Sequence, residues 1–104
     1  MTVRIERDGA VAHVILARPE RLNALTPEMM EQLSDATLAL QKDREVRAVL
    51  LRGEGRAFCA GADVGTMQGL DVLSGRQRIQ RAHRVIVGLA NLDKPVIAVV
   101  RGAT

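Results

Sequence analysis

Between Gly53 and Asp63 the chain reads Gly53-Glu54-Gly55-Arg56-Ala57-Phe58-Cys59-Ala60-Gly61-Ala62-Asp63, residue types suited to chemistry done by the backbone. Gly53-Glu54-Gly55-Arg56-Ala57-Phe58 opens like a dinucleotide fingerprint. Its third glycine position is Phe58, which blocks close helix–strand packing, and no helix signal follows, so a Rossmann phosphate cradle is excluded. A P-loop is excluded as well, because no Gly-Lys-Ser or Gly-Lys-Thr occurs. The small residues of Phe58–Asp63 suit something else. They let the main chain turn sharply and leave amide N–H groups uncovered, and such donors can meet a carbonyl oxygen that gains negative charge. Asp63 would cap the helical turn that follows. A close-packed turn between strand and helix accounts for the same composition, and the residues alone leave both readings open.

Other reactive types read more plainly. Cys59 is the single cysteine; with no activating His pattern beside it, it reads as a small buried thiol. One cysteine makes no intramolecular disulfide and no thiolate-rich metal site, and it points to a reducing, cytoplasmic compartment. His13 in a strand and His83 on a helix read as packing residues. Arg76, Arg78, Arg81 and Arg84 read as a solvated helix face, with phosphates or a neighbouring subunit as the functional options. Glu28, Glu31 and Glu45 sit on a helix face or a turn, where a solvated carboxylate is expected.

The elements that position these residues follow from periodicity and punctuation. Residues 2 to 7 alternate, Asp8-Gly9 turns, and Val11 with His13-Val14-Ile15-Leu16 completes a hairpin that ends before Arg18-Pro19. Residues 21 to 25 connect to a helix with Thr26 as N-cap, Pro27 at its first position and Glu28 in its first turn, running to about Lys42. Met29, Met30, Leu33, Thr37 and Leu40 form its buried stripe, leaving Glu31, Gln32, Asp35 and Gln41 to solvent. Val46–Arg52 is a third and central strand. Residues 64 to 73 have no clean period and read as a mobile segment bordering a site. Ser74-Gly75-Arg76-Gln77 matches a capping box and opens a helix to about Asn91, with Ile79, Ala82, His83, Ile86 and Ala90 on its apolar face. Val96–Val100 reads as a strand of the buried type.

The order β-β-α-β-α-β defines an α/β fold, with parallel pairing and helical crossovers after the initial hairpin. The 104 residues, 47% of them hydrophobic, suit one globular domain or a piece of one. Ligands in such folds sit at the carboxyl ends of strands, and the chain stops just after one, which predicts a fragment. No stretch reaches about 20 uncharged residues, so no export signal or membrane span is expected. A net charge of +3 with Phe58 as the sole aromatic residue argues against nucleic-acid binding, which needs rings to stack bases.

Four blocks in order, Arg18–Leu25 (RPERLNAL), Arg47–Gly53 (RAVLLRG), Arg56–Val64 (RAFCAGADV) and Lys94–Ala103 (KPVIAVVRGA), resemble the enoyl-CoA hydratase/isomerase or crotonase family. They span nearly the whole chain, and F-x-A-G-A-D is the specific one. The resemblance implies a crotonase-like spiral of ββα units, present here as the N-terminal portion of a single domain over residues 1–104. It also implies an acyl-CoA enzyme in which two backbone N–H groups hold an enolate-like thioester oxygen. The first donor maps onto Ala62. Asn23, Ala24, Leu25, Ala60, Gly61, Asp63 and Val64 map onto the CoA groove, Arg21 onto a phosphate partner or a solvated arginine, and Met67, with Leu70, onto the acyl pocket or ordinary packing. Gly65 departs from relatives that carry a basic residue there.

The resemblance places the second donor and the hydratase glutamates after Thr104, so the 104-residue chain alone is expected to be inactive. The implied parent is an enoyl-CoA hydratase, with isomerase and other family reactions as alternatives. It acts on acyl-CoA as a homotrimer or hexamer, with CoA as part of the substrate and no further cofactor. A basic module that binds polyanions through the arginine-rich helix is the reading from a different class; its binding would weaken steeply with salt.

Overall fold

The computed structural model describes residues 2–59, 61 and 72–102. Strands β1 (Val3–Asp8) and β2 (Val11–Leu16) form an antiparallel hairpin around Gly9, which holds φ +60°. Helix α1 (Pro27–Lys42) leads to β3 (Ala48–Gly53), and helix α2 (Val72–Ala90) leads to β4 (Val96–Val99). The sheet order is β1-β2-β3-β4, with β2, β3 and β4 mutually parallel. The expected hairpin and central third strand are both present.

Register decides which residues α1 covers. Leu16 stands opposite Val3 and Gly53, Val14 opposite Ile5 and Leu51, and Ala12 opposite Arg7 and Val49. Val3, Ala12, Val14, Leu16 and Val49 pack in one cluster with Met29, Met30, Leu33 and Leu40 of α1. Thr26 caps that helix as expected, its Oγ1 accepting from the Met29 N–H at 3.1 Å. Gln32 departs from the expectation of solvent. Its Oε1 accepts from the Val3 N–H at 2.9 Å and from the Thr2 hydroxyl at 3.2 Å, tying the helix to the sheet edge.

Ile15 lies outside that cluster yet is fully buried. Its register neighbours on the opposite face are Arg4 and Arg52. These arginines pair with Glu54 at 2.9 Å and Glu6 at 3.5 Å, and Arg52 Nε donates to His13 Nδ1 at 3.3 Å. Half-exposed pairs of this kind add at most about 1 kcal/mol each; their aliphatic stems shield apolar surface as well.

Helix α2 corrects two expectations. It begins at Val72, not at Ser74, so the capping-box residues lie inside it. The buried stripe carries Arg78 and Val85, with Ala82 and Leu89 packed behind them. Ile79 and Ile86 are 72% and 65% exposed, and His83 is exposed too. The helix bears two apolar stripes, and the one that meets α1 is set by close approach at Gly88, where a Cβ would lie 3.2 Å from Thr37 Cγ2. Strand β4 is likewise not buried: it is an edge strand among the described residues, and its Ile97 and Val99 are exposed. Residues 64–71 of the expected mobile segment lie outside the described residues.

The turn after α1 is an electrostatic knot. Lys94 Nζ donates to the carbonyls of Leu40 and Asp43, placing a cation at the helix C-terminus. The Asp43 carboxylate accepts from the Glu45 N–H at 3.0 Å and pairs with Arg7 at 2.7 Å. The Glu45 N–H, and then the Arg7 charge, hold its carboxyl below the usual 3.8 against an opposing effect of burial. A folded-state pKa below the unfolded one contributes stability above the unfolded value and loses it as pH falls through the folded value. Urea melts should therefore show Asp43→Asn less stable than the parent near neutral pH, with the gap closing below about pH 4. A gap that stays constant to about pH 2 would reject the assignment.

Candidate functional site

The loops that leave β2, β3 and β4 emerge at the carboxyl ends of parallel strands, where α/β sheets bind their ligands. After β2, Pro19–Arg21 form a single 3-10 turn, its proline at the first position. Leu22 and Asn23 then adopt φ +53° and +58°. A left-handed leucine costs roughly 1–2 kcal/mol, so surrounding contacts must hold it there. Leu22 N–H donates to the Pro19 carbonyl at 3.0 Å and Asn23 N–H to the Arg18 carbonyl at 2.9 Å. Asparagine tolerates this backbone region better than most residues.

The Asn23 side chain is 0% exposed. Its Oδ1 accepts from the Arg18 N–H at 2.8 Å, and its Nδ2 donates to the carbonyls of Glu54 at 3.0 Å and Ala57 at 2.9 Å. Both amide hydrogens are committed to the protein, which leaves no side-chain donor for a ligand. The resemblance maps Asn23 onto the CoA groove, and its side chain here bonds to the loop after β3.

That loop is held from other sides too. Glu54 N–H donates to the Leu16 carbonyl at 2.8 Å, Phe58 N–H to the Arg101 carbonyl at 2.8 Å, and Leu25 N–H to the Gly61 carbonyl at 2.7 Å. The Arg101 guanidinium reaches the Gly55 carbonyl at 3.1 Å. Two glycines make this crowding possible. A Cβ on Gly53 would stand 2.5 Å from the Ala57 carbonyl oxygen and 2.6 Å from Asn23 Nδ2, and one on Gly102, at φ +62°, would strike the Arg56 carbonyl oxygen.

Residues 23–25 carry two further contacts. Arg18 donates to the Ala24 carbonyl at 3.0 Å, and Arg78 approaches the Leu25 carbonyl at 3.5 Å from α2. Arg78 is only 7% exposed, so one of the four clustered arginines is a buried buttress and not part of a solvated face. Arg21 is exposed on the 3-10 turn and, among the described residues, pairs with no carboxylate.

Asn23, Ala24, Leu25 and Gly61 are thus brought together at one end of the sheet, with Cys59 between the loop and the core, its Sγ 3.9 Å from the Gly61 carbonyl oxygen. Ala60, Ala62, Asp63, Val64 and Met67 lie outside the described residues. His13 sits in the Arg52 pair on the sheet's other face, and among the described residues no cluster of His, Cys, Asp and Glu could hold a metal. Sequence reasoning missed the parts played by Gly53, Arg78, Arg101 and Gly102. An available signal was the repeated Arg-Gly pair, Arg52-Gly53 and Arg101-Gly102, just where β3 and β4 end.

This arrangement has counterparts. The family model described as enoyl-CoA hydratase/isomerase matches residues 11–104, and the chain belongs to that family. A short-chain enoyl-CoA hydratase of Clostridium acetobutylicum is 38% identical over 101 residues, which make up 96% of this chain and 39% of the relative. A probable enoyl-CoA hydratase of Rhizobium meliloti is 42% identical over 101 residues, 97% of this chain and 38% of the relative. A crystal structure described as an enoyl-CoA hydratase/carnithine racemase of Magnetospirillum magneticum superposes with a TM-score of 0.93 at 31% identity, covering 98% of this chain and 39% of that one. The fold is that of the crotonase family, and the chain spans about two-fifths of the length of these relatives.

Gly53→Ala places a methyl group against backbone carbonyls that cannot move aside independently, so it should lower the denaturation midpoint, with a loss of about 2 kcal/mol or more. Gly75→Ala, which has nothing within 4 Å of its Cβ, should be neutral or slightly stabilising. Thermal melts of the two variants side by side check the contrast.

Proposed function

We propose that the protein carrying this chain is an acyl-CoA enzyme that adds water across the double bond of a 2-enoyl-CoA. Hydroxide equivalent goes to the β carbon and a proton to the α carbon, and the thioester oxygen carries enolate charge in between. The Ala62 backbone N–H is one of two donors that meet that charge. Ala24, Leu25, Ala60, Gly61, Asp63 and Val64 line the CoA groove, Arg21 offers a cation to a phosphate, and Met67 borders the acyl chain.

The observation that carries the reading is the 2.7 Å bond from Leu25 N–H to the Gly61 carbonyl. That bond ties the carbonyl of the residue just before the proposed donor to the loop after β2. A donor held before the substrate arrives needs no reorganisation when charge develops, which is the condition for a large effect. Glu28, Glu31 and Glu45 have no part in proton transfer, since all are exposed on α1 or the turn after it. CoA enters as part of the substrate and no further cofactor is invoked.

The protein acts in the cytoplasm as a trimer or pair of trimers, a reading supported by the single cysteine and by the exposed apolar residues Leu73, Ile79 and Ile86 along α2. Among the described residues no helix is long and apolar enough to cross a membrane.

In the full-length protein, Ala62→Pro removes the donor N–H and should lower kcat for crotonyl-CoA by about 100-fold or more, with CoA binding changed far less. Loss of the enoyl thioester's ultraviolet absorbance follows the reaction. Turnover close to the parent's would reject the donor assignment. A parent that converts 3-enoyl-CoA to 2-enoyl-CoA without hydrating crotonyl-CoA would make the protein an isomerase of the same family.

A further inference from the structure

The Asn23 carboxamide is the most completely buried polar side chain among the described residues, and its partners are all backbone groups. Its Nδ2 binds two carbonyls of one loop, at Glu54 and Ala57, while its Oδ1 binds the start of its own loop at Arg18. The carboxamide thus spans the loops that follow β2 and β3. Two residues on from Asn23, the Leu25 N–H donates to the Gly61 carbonyl, so the segment that carries the side-chain clamp also carries a backbone bond to the residue just before the proposed donor. On the far side, Arg101 holds the same loop through Gly55 and Phe58.

We propose that Asn23 is a positioning residue for the donor segment: it touches no substrate atom and acts by fixing the backbone of residues 54–57 against residues 18–25. The catalytic part of this inference rests on the acyl-CoA reading above; the mechanical part does not. Loss of the clamp would leave a buried carbonyl at Ala57 and a part-buried one at Glu54 without their donor and let residues 54–57 sample other peptide orientations, so the loop that leads to the proposed donor would have to be reordered in each turnover.

The test uses the full-length protein and two variants. Asn23→Gly accepts the positive φ and deletes the clamp. Arg101→Gln, at an exposed site, removes one bond to the same loop and spares the fold. Hydrogen–deuterium exchange of a peptide spanning residues 53–59, read without substrate, reports the mechanical part. Steady-state kinetics with crotonyl-CoA report the catalytic part. For Asn23→Gly the expected result is exchange at least tenfold faster in that peptide and kcat at least tenfold lower, with KM within about threefold of the parent. Arg101→Gln should move both quantities the same way by less.

Unchanged exchange in both variants overturns the clamp. Faster exchange with kcat unchanged overturns its link to catalysis. A loss confined to KM overturns the claim that Asn23 stays off the substrate. If Asn23→Gly does not fold, Arg101→Gln alone decides: faster exchange with lower kcat upholds the positioning of this loop, and neither change overturns it. A parent with no turnover on any enoyl-CoA overturns the reading of the activity, while the exchange comparison still decides the clamp.

Discussion

The site end of this fold depends on how one carboxamide is buried. An amide taken out of water without partners costs several kcal/mol in a dry interior, so Asn23 can sit at 0% exposure only if the chain brings acceptors to both of its hydrogens. The loop after β3 does so by turning the carbonyls of Glu54 and Ala57 inward. That inward turn fills the space where side chains at positions 53 and 102 would stand, and both are glycine. A Cβ on Gly55, at φ +84°, would likewise stand 2.9 Å from Pro19 Cβ. The left-handed backbone at Leu22 and Asn23 is the cost of presenting the carboxamide at that spot, and the bonds it makes offset the strain.

The remainder of the fold presents this arrangement and also leaves surface uncovered. Helix α1 seals one face of the hairpin and of β3. Helix α2 contributes the buried Arg78 and Val85 on one side and an exposed apolar stripe on the other. Among the described residues strand β4 pairs with β3 alone, and its Ile97 and Val99 are exposed. An open parallel edge and an exposed apolar helix stripe are both unusual on a soluble surface. They accord with a chain that spans about two-fifths of the length of its relatives.

Much of the fold was legible because its signals are local. The hairpin needs only alternation and a glycine turn, and α1 announces itself through Thr26, Pro27 and one clean apolar stripe. The direction of α2 was not legible: Ile79-Ile86 and Val85-Leu89 are both apolar stripes at helical spacing, and tertiary contact at Gly88 and Thr37 selects between them. The apolar run of β4 matches a central strand as well as an edge strand awaiting cover, since composition records what a strand will meet and not when. The work of Asn23 stayed hidden because its partners lie 31 and 34 positions away, and no local rule distinguishes a loop asparagine that meets ligand from one that braces another loop.

A backbone donor raises a question of rigidity that a side-chain donor does not. A side chain can be held by packing around it, whereas a peptide N–H points wherever its own peptide plane points, and a loop rich in Ala and Gly has little bulk to resist rotation. Stability at such a site has to come from bonds to the carbonyls of the loop itself. That is the pattern here: Glu54, Gly55, Ala57 and Gly61 each offer a carbonyl to a donor from the loops after β2 or β4. With those oxygens spoken for, the amides between them have fewer directions open. Small residues allow close approach of a substrate, and the carbonyl contacts restore the order that small residues give up. The two demands explain why the described residues beside a stretch that looks loose in composition, Glu54, Gly55, Ala57 and Gly61, have their carbonyls bound by neighbouring loops.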